Sequence, residues 1–487
     1  MAWARQCRHG GGTLQDAYEA FQHFLELARR AGNESDIALG LTGLGDVLVM
    51  QGKLDEALKR YRDSLGIRER LAAPDRTNTG RQRDLSVSYE RIGIVLVAQG
   101  KLDEALKSYQ EGLAIAEQLV VSDRSNTAWR RDLAVSYDSI GDVLVDQGKL
   151  EEALKRYVNS LAIKESLVAS DRANMGWQSD LALSNERVGD VLVDQGKLDE
   201  ALKSYRNSVA IRERLAASDR SNIGWQSALS LPYQKVGDVL LAQGKLDEAL
   251  KSYGDSLAIR ERLAASDRNN TNWQRALSVS YDKVGSVLVA RGKLDEALKN
   301  YQDNVVIFER LAASDRSNSG WQRDLAVSLN KVGDVLVDQG KLDEALKSYR
   351  NSLAIRERLA SSDRSNAGWQ RDLSGSYHRI GNVLVAQGKL DEALKSYGAS
   401  FAIIDRLADS DRSNTAWQHD LSVSYAKLAS VHNKAGNVSR ALMALRSGRD
   451  IIATLIGQGF VQWKGDLAWF DKEIAALKGR TQEAEKN

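Results

Sequence analysis

Gly-Lys-Leu-Asp-Glu-Ala-Leu returns at a spacing of 48 residues, starting at Gly52, Gly100, Gly196, Gly244, Gly292, Gly340 and Gly388, with a Glu-for-Asp copy at Gly148. Self-similarity at a fixed period of this size specifies stacked supersecondary copies, each of which buries its apolar face against a neighbour. A length of 487 residues would otherwise suggest about three globular domains. One repeat covers nearly all of it and no linker interrupts it, so a single elongated body is expected.

Two prolines in the whole chain, abundant Ala, Leu, Lys, Glu and Arg, and no alternating apolar strands specify all-α structure. The net charge of +2, from 68 basic and 66 acidic residues, supplies no general attraction to nucleic acid or anionic membrane. Neither class of partner is expected. The single cysteine, Cys7, leaves no internal disulfide and no thiolate cluster for zinc. The N-terminal stretch lacks the apolar core of a secretory signal and no uncharged apolar run reaches membrane-spanning length, so a cytoplasmic location is expected.

In the copy from Ile223 to Asn270, Trp225, Leu229, Tyr233, Val236 and Leu240 lie three and four apart, one apolar stripe of a helix A that runs to about Gln243. Gly244 ends it, as the residue best suited to the left-handed conformation after a helix C-terminus. Leu246, Ala249, Leu250, Tyr253, Leu257 and Leu263 form the stripe of helix B. Pro74 replaces the serine found at Ser122, Ser218 and Ser266, which places the end of helix B near there. The following turn supplies Asn126, Asn222 and Asn318 as N-caps for the next helix A. Pro232 falls inside helix A, where a kink or a division into two segments is expected at a local cost of about 3 kcal/mol.

Tyr233, Val236, Gly237, Leu240, Gly244, Ala249, Tyr253 and Ser256 follow the order and spacing of the tetratricopeptide repeat, a helix-turn-helix motif of about 34 residues, and this chain resembles that family. It departs by about 14 extra residues per copy, between the end of helix B and the next helix A. The extended copies resemble those of kinesin light chains and of bacterial arrays that accompany signalling ATPase or protease domains. The resemblance implies an all-α, right-handed superhelical α-solenoid of about nine helix pairs, with helix A lining the concave wall. Residues 1–12 are expected to be a flexible N-terminus and 13–32 a capping helix carrying Leu14, Ala17, Phe21 and Leu25. The array occupies 33–458; 459–487 hold a second capping helix, with Trp463, Leu467 and Phe470 restarting helix A, and a charged tail from Lys478 to Asn487.

Nothing in the sequence specifies catalysis, a cofactor or a metal. Gly189 to Leu198 has a glycine followed by Gly-Lys, but a phosphate loop needs four residues between the glycines and Ser or Thr after the lysine, and this segment has six and a leucine. His9, His23, His378, His419 and His432 share no ligand spacing within a helix. Trp129, Trp177, Trp225, Trp273, Trp321, Trp369 and Trp417 share a helical stripe with the following leucines and read as core rather than as a base-stacking ladder.

The chain therefore reads as a non-catalytic scaffold for a partner protein or peptide. The stripe of helix A taken as solvent-facing carries Asp138, Asp142 and Asp146 in one copy and Glu186, Asp190 and Asp194 in the next. It continues as Gln234, Asp238, Ala242, then Asp282, Ser286, Ala290, then Asn330, Asp334, Asp338. Two readings fit. Arg187, Lys235, Lys283, Lys331 and Arg379 could neutralise the face from within, or it forms an acidic trough for a basic or amphipathic segment, floored by Val135, Leu183, Val145 and Val193. The family's lysine- and asparagine-based clamp for acidic chaperone tails does not carry over, because Asp138, Glu186 and Asp142 occupy the matching stripe. Ile-Arg-Glu-Arg-Leu at Ile211 to Leu215, Ile259 to Leu263 and Ile355 to Leu359 is expected on an outer or edge surface, which opens the further possibilities of a homo-oligomer, a self-assembling solenoid, or a bacterial signalling or defence adaptor that holds a separate effector.

Overall fold

The computed structural model describes residues 13–486, with side chains to residue 479; the expected flexible segment 1–12, with Cys7 and His9, lies outside the described residues. Within them the chain is all-α. A first helix, Leu14–Ala31, precedes nine helix pairs running from Glu34–Met50 to Val438–Gly457, and a last helix, Lys464–Lys486, follows a 3-10 turn at Val461–Trp463. Helix A spans about twenty residues, as in Thr127–Asp146, and helix B one more, as in Leu150–Ser170. The chain divides into two compact units, to Ile259 and from Arg260, and the boundary falls inside the helix Leu246–Ser266 rather than at a linker.

Local chemistry sets each boundary. The Asn126 side chain accepts from the backbone N–H groups of Ala128 and Trp129 at 3.1 Å, and Asn222 and Asn318 accept from Trp225 and Trp321 in the same way. The turn before each cap is held by its aspartate: Asp219 accepts from the Ser221 backbone at 2.9 Å and from its hydroxyl. Those bonds hold the Asp219 carboxyl below the usual carboxylate range. At the other end of helix A, Gly148 has φ +73°, Lys149 N–H bonds the Leu144 carbonyl at 2.8 Å and Gly148 N–H bonds the Val145 carbonyl at 2.8 Å. This is a Schellman closure, and a left-handed glycine recurs after helix A in all nine pairs, from Gly52 to Gly436.

The two helices of a pair approach through glycine. A Cβ on Gly141 would stand 2.5 Å from the Tyr157 ring, and Gly189 with Tyr205, Gly237 with Tyr253 and Gly333 with Tyr349 repeat the contact at 2.5 to 2.6 Å. The core of each pair also holds a fully buried helix B alanine, such as Ala153 or Ala201, and buried helix A leucines, such as Leu144 and Leu192. In the first helix Phe21 lies against Gly43 as the tyrosines do on theirs, and Leu25 packs with Leu41 and Leu44. The tryptophans are half-buried packing groups: Trp225 lies against Ala182, Ile211 and Leu215, and Trp417 against Ile404, Ala408 and Leu421. Trp463 departs from expectation. It sits in the 3-10 turn and stacks on His419 at 5.2 Å, while Phe470, 2% exposed, takes the core position over Gly448.

Pro232 is buried inside an uninterrupted helix, Ile223–Ala242, so the expected division into two segments does not occur. Burial of Pro232 within the array holds the helix across the missing donor, and the Ser230 hydroxyl donates to the Ser227 carbonyl at 2.9 Å. In other copies the equivalent residue is a serine that takes a bond from a buried cation, Ser184 from Lys164 at 2.7 Å and Ser280 from Arg260 at 3.0 Å. Pro232→Ser restores both the backbone donor and that hydroxyl. It should raise stability by about 1–3 kcal/mol, read as a higher thermal midpoint; an unchanged or lower midpoint contradicts this reading.

Candidate functional site

The face of helix A that carries the sequence-derived candidates is built on the glycine contact. Because the tyrosine ring crosses the glycine so closely, its hydroxyl reaches the residue after it. Tyr157 donates to Asp142, Tyr205 to Asp190, Tyr253 to Asp238 and Tyr349 to Asp334, each at 2.6 Å. Burial, reinforced by these carboxylates, pushes the four phenols well above their ordinary range, so they remain donors. The same carboxylates take a cation from the following helix A. Arg187 bonds Asp142 at 3.3 Å, Lys235 bonds Asp190 at 2.7 Å and Arg379 bonds Asp334 at 3.3 Å, while Lys331 pairs with Asp282.

The stripe is not uniformly solvent-facing, and two of its members are corrected. Asp138 is 7% exposed and Glu186 4% exposed. Asp138 accepts from Lys164 at 2.6 Å and pairs with Arg187 at 3.2 Å, and Glu186 accepts from Arg212 at 2.6 Å and from the Ser208 hydroxyl at 2.6 Å. They are internal counter-ions to helix B, beyond a partner's reach. Arg212, Arg260 and Arg356, the first arginine in each copy of the Ile-Arg-Glu-Arg-Leu stretch, are buried too, so that stretch is not a continuous basic surface. Asp142, Asp190 and Asp334 are about half exposed along their side chains, and Asp238 is half-buried. Asp146, Asp194 and Asp338 lie exposed at the C-terminal end of helix A, and among the described residues they carry no ion pair or side-chain hydrogen bond. Self-compensation, one of the two readings left open by the sequence, thus holds for the middle of the stripe.

An aliphatic row accompanies these carboxylates. Val135, Leu183 and Leu231 in the first unit, and Val279 and Val327 in the second, are 39 to 44% exposed. Val193 is also exposed, whereas Val145 is half-buried. At the next place in the row stands Gly375, and there a cavity of about 470 Å³ opens in the second unit, lined by Asp334, Val337, Asp338, Tyr349, Gly375 and His378. Sequence reasoning passed over Gly375 and weighed His378 only as a metal ligand, though both stand out when the copies are aligned on their period. Burial, with Lys427 adding to it, pushes the His378 imidazole down to about 4, so the ring is neutral at physiological pH.

Glu90 is the other residue missed. It occupies the position of Asp138 and Glu186, but the facing helix B residue is Ala116 where they have Lys164 and Arg212. Burial, with Asp142, Asp138 and Asp132 on the neighbouring helix A, pushes its carboxyl up to about 7 against the opposing bond from the Ser139 hydroxyl. The folded chain therefore binds a proton that the unfolded chain releases near its usual carboxylate value, so this contribution to stability is present at low pH and lost as pH rises from about 5 to 8. Glu90→Gln should raise the thermal midpoint at pH 8, by the equivalent of about 2 kcal/mol, and leave it little changed at pH 5. Equal shifts at both pH values contradict the assignment.

Among the described residues no group of three or more His, Cys, Asp or Glu side chains could hold a metal ion, and no described helix is long and apolar enough to cross a membrane. Two family models match the chain, both described as tetratricopeptide repeat: one over residues 4–70 and 84–166, the other over 187–219, 233–267 and 325–364. Among solved structures, apo RapI is 14% identical, with a TM-score of 0.47, over 87% of this chain and 99% of its own. BtubC (BKLC) from P. vanneervenii is 19% identical, with a TM-score of 0.41, over 53% of this chain and 92% of its own. The signal transduction ATPase with numerous domains with a tetratricopeptide repeat sensor, from Pyrococcus horikoshii, is 12% identical, with a TM-score of 0.46, over 84% of this chain and 55% of its own. No curated protein matches the sequence.

Proposed function

The chain belongs to the tetratricopeptide repeat family, and from that premise we propose that it is a non-catalytic scaffold that binds a partner protein through the exposed face of its A helices. The partner segment is basic and amphipathic. One observation carries this reading: exposed carboxylates and exposed aliphatic side chains share one helix face. Val135, Asp142 and Asp146 lie seven and eleven residues apart, about two and three turns, and Leu183, Asp190 and Asp194 repeat the arrangement. Leu183 and Val135 supply apolar contact, and Asp146, Asp194 and Asp338 supply charge that nothing within the chain neutralises. Asp142, Asp190, Asp238 and Asp334 already hold a tyrosine hydroxyl, which fixes their position at no cost to binding. Asp138 and Glu186 act from beneath by holding helix B.

A fluorescein-labelled amphipathic helical peptide of lysine and leucine tests the reading by fluorescence anisotropy. Asp146→Asn, Asp194→Asn and Asp338→Asn combined should weaken binding about tenfold and flatten its salt dependence, since exposed pairs contribute up to about 1 kcal/mol each. Binding by the triple variant equal to that of the parent, at low and high salt alike, would sink the carboxylate assignment.

A further inference from the structure

The residues by which each copy exceeds the shorter motif of its family build cavities at the opposite end of helix A from Asp146. In the first unit a cavity of about 690 Å³ lies between the ends of Leu150–Ser170 and Leu198–Ser218 and the start of Met175–Asp194, and Arg172 and Arg214 line it. The second unit has the matching cavity, of about 590 Å³, four 48-residue periods on, lined by Arg364 and Arg406. Each therefore presents one arginine from the turn and one from the last turns of helix B. All four side chains are exposed.

None of these four arginines has an acidic partner. In two other copies the helix B arginine is engaged by the start of its helix A, Arg70 donating to the Glu34 carboxylate at 3.1 Å and Arg310 to the Gln274 amide oxygen. At the two cavities the corresponding glutamines donate to the backbone, Gln178 to the Arg172 carbonyl at 2.6 Å and Gln370 to the Ala360 carbonyl at 3.0 Å, and neither accepts from an arginine. Arg406 reaches only its own helix, at the Ala402 carbonyl, 3.2 Å away. Among the described residues Arg172, Arg214 and Arg364 donate no side-chain hydrogen bond and form no ion pair. The second cavity has no carboxylate in its lining, and the first has only Glu165.

We propose that each cavity is a docking site for an acidic side chain, aspartate or glutamate, of a partner protein segment, its carboxylate held between the turn arginine and the helix B arginine. The planar guanidinium offers paired donors that match a carboxylate, and two of them lining one cavity from different elements fix its position as one could not. Leu181 and Leu215 in the first cavity, and Leu373 and Leu407 in the second, provide an apolar floor for the stem of that side chain. The sites are opposite in charge to the helix A face and stand independently of its function.

Fluorescence anisotropy of the full chain with a fluorescein-labelled hexa-aspartate peptide tests the proposal, at about 0.1 M salt where long-range attraction is screened. R172S/R214S/R364S/R406S should bind at least about tenfold more weakly than the parent, the loss expected when a charge-assisted bond is removed. The charge-matched variant R29S/R30S/K472S/K478S, altered at exposed positions outside both cavities, should stay within about twofold. Far-ultraviolet circular dichroism and thermal midpoints check that both variants fold. Failure of the parent to bind the peptide, equal losses in the two variants, or binding of a labelled oligothymidylate in preference to the peptide would each overturn the proposal.

Discussion

The contact between a helix A glycine and the helix B tyrosine ring is the interaction on which the rest depends. No side chain larger than hydrogen fits where the ring crosses Gly141 or Gly189. The close approach brings the phenol hydroxyl to Asp142 or Asp190, which sets where that carboxylate stands on helix A. The carboxylate in turn receives Arg187 or Lys235 from the next helix A, so a contact within one pair also ties that pair to its neighbour. Sterics, hydrogen bond and ion pair form one chain of cause from the backbone to the exposed face.

Against this constant frame, two facing positions vary from copy to copy. Asp138 faces Lys164 and Glu186 faces Arg212, while Asn330 stands in the copy of Arg356 and His378 in that of Ile404. A buried ion pair contributes little net stability, because desolvation offsets most of its attraction, but breaking one leaves an uncompensated charge. Mismatched stacking of near-identical copies would do just that. Glu90 against Ala116 shows the consequence inside the native array: a carboxyl without a cation, titrating near neutrality.

Much of the fold was legible because its determinants are local. Left-handed glycines after helix A and asparagines before it announce themselves by type and by period, and Gly148 and Asn126 take the conformations their chemistry favours. The candidate site was less legible, for a geometric reason. Steps of four residues advance about 40° more than a full turn of helix, so a stripe from Asp138 to Asp146 swings by about 80° around its axis. Its first member falls on the flank facing helix B and its last faces solvent. Charge alone then misled, since the cation that buries Asp138 comes from Lys164 on another helix. At Pro232 the helix is continuous although the local penalty of proline favours a division there, since propensity is local and burial overrides it.

Thermal unfolding of two glycine-to-alanine variants tests the central constraint most directly. Gly141 and Gly66 both lie inside helices of the first unit, but a Cβ on Gly141 meets the Tyr157 ring at 2.5 Å, whereas one on Gly66 meets nothing within 4 Å. Gly66→Ala should raise stability by about 0.5–1 kcal/mol through helix propensity alone. Gly141→Ala should lower it by about 1–3 kcal/mol, as overpacking does. Shifts of opposite sign are the result this account predicts, and a Gly141→Ala variant as stable as the parent, or more so, would contradict it.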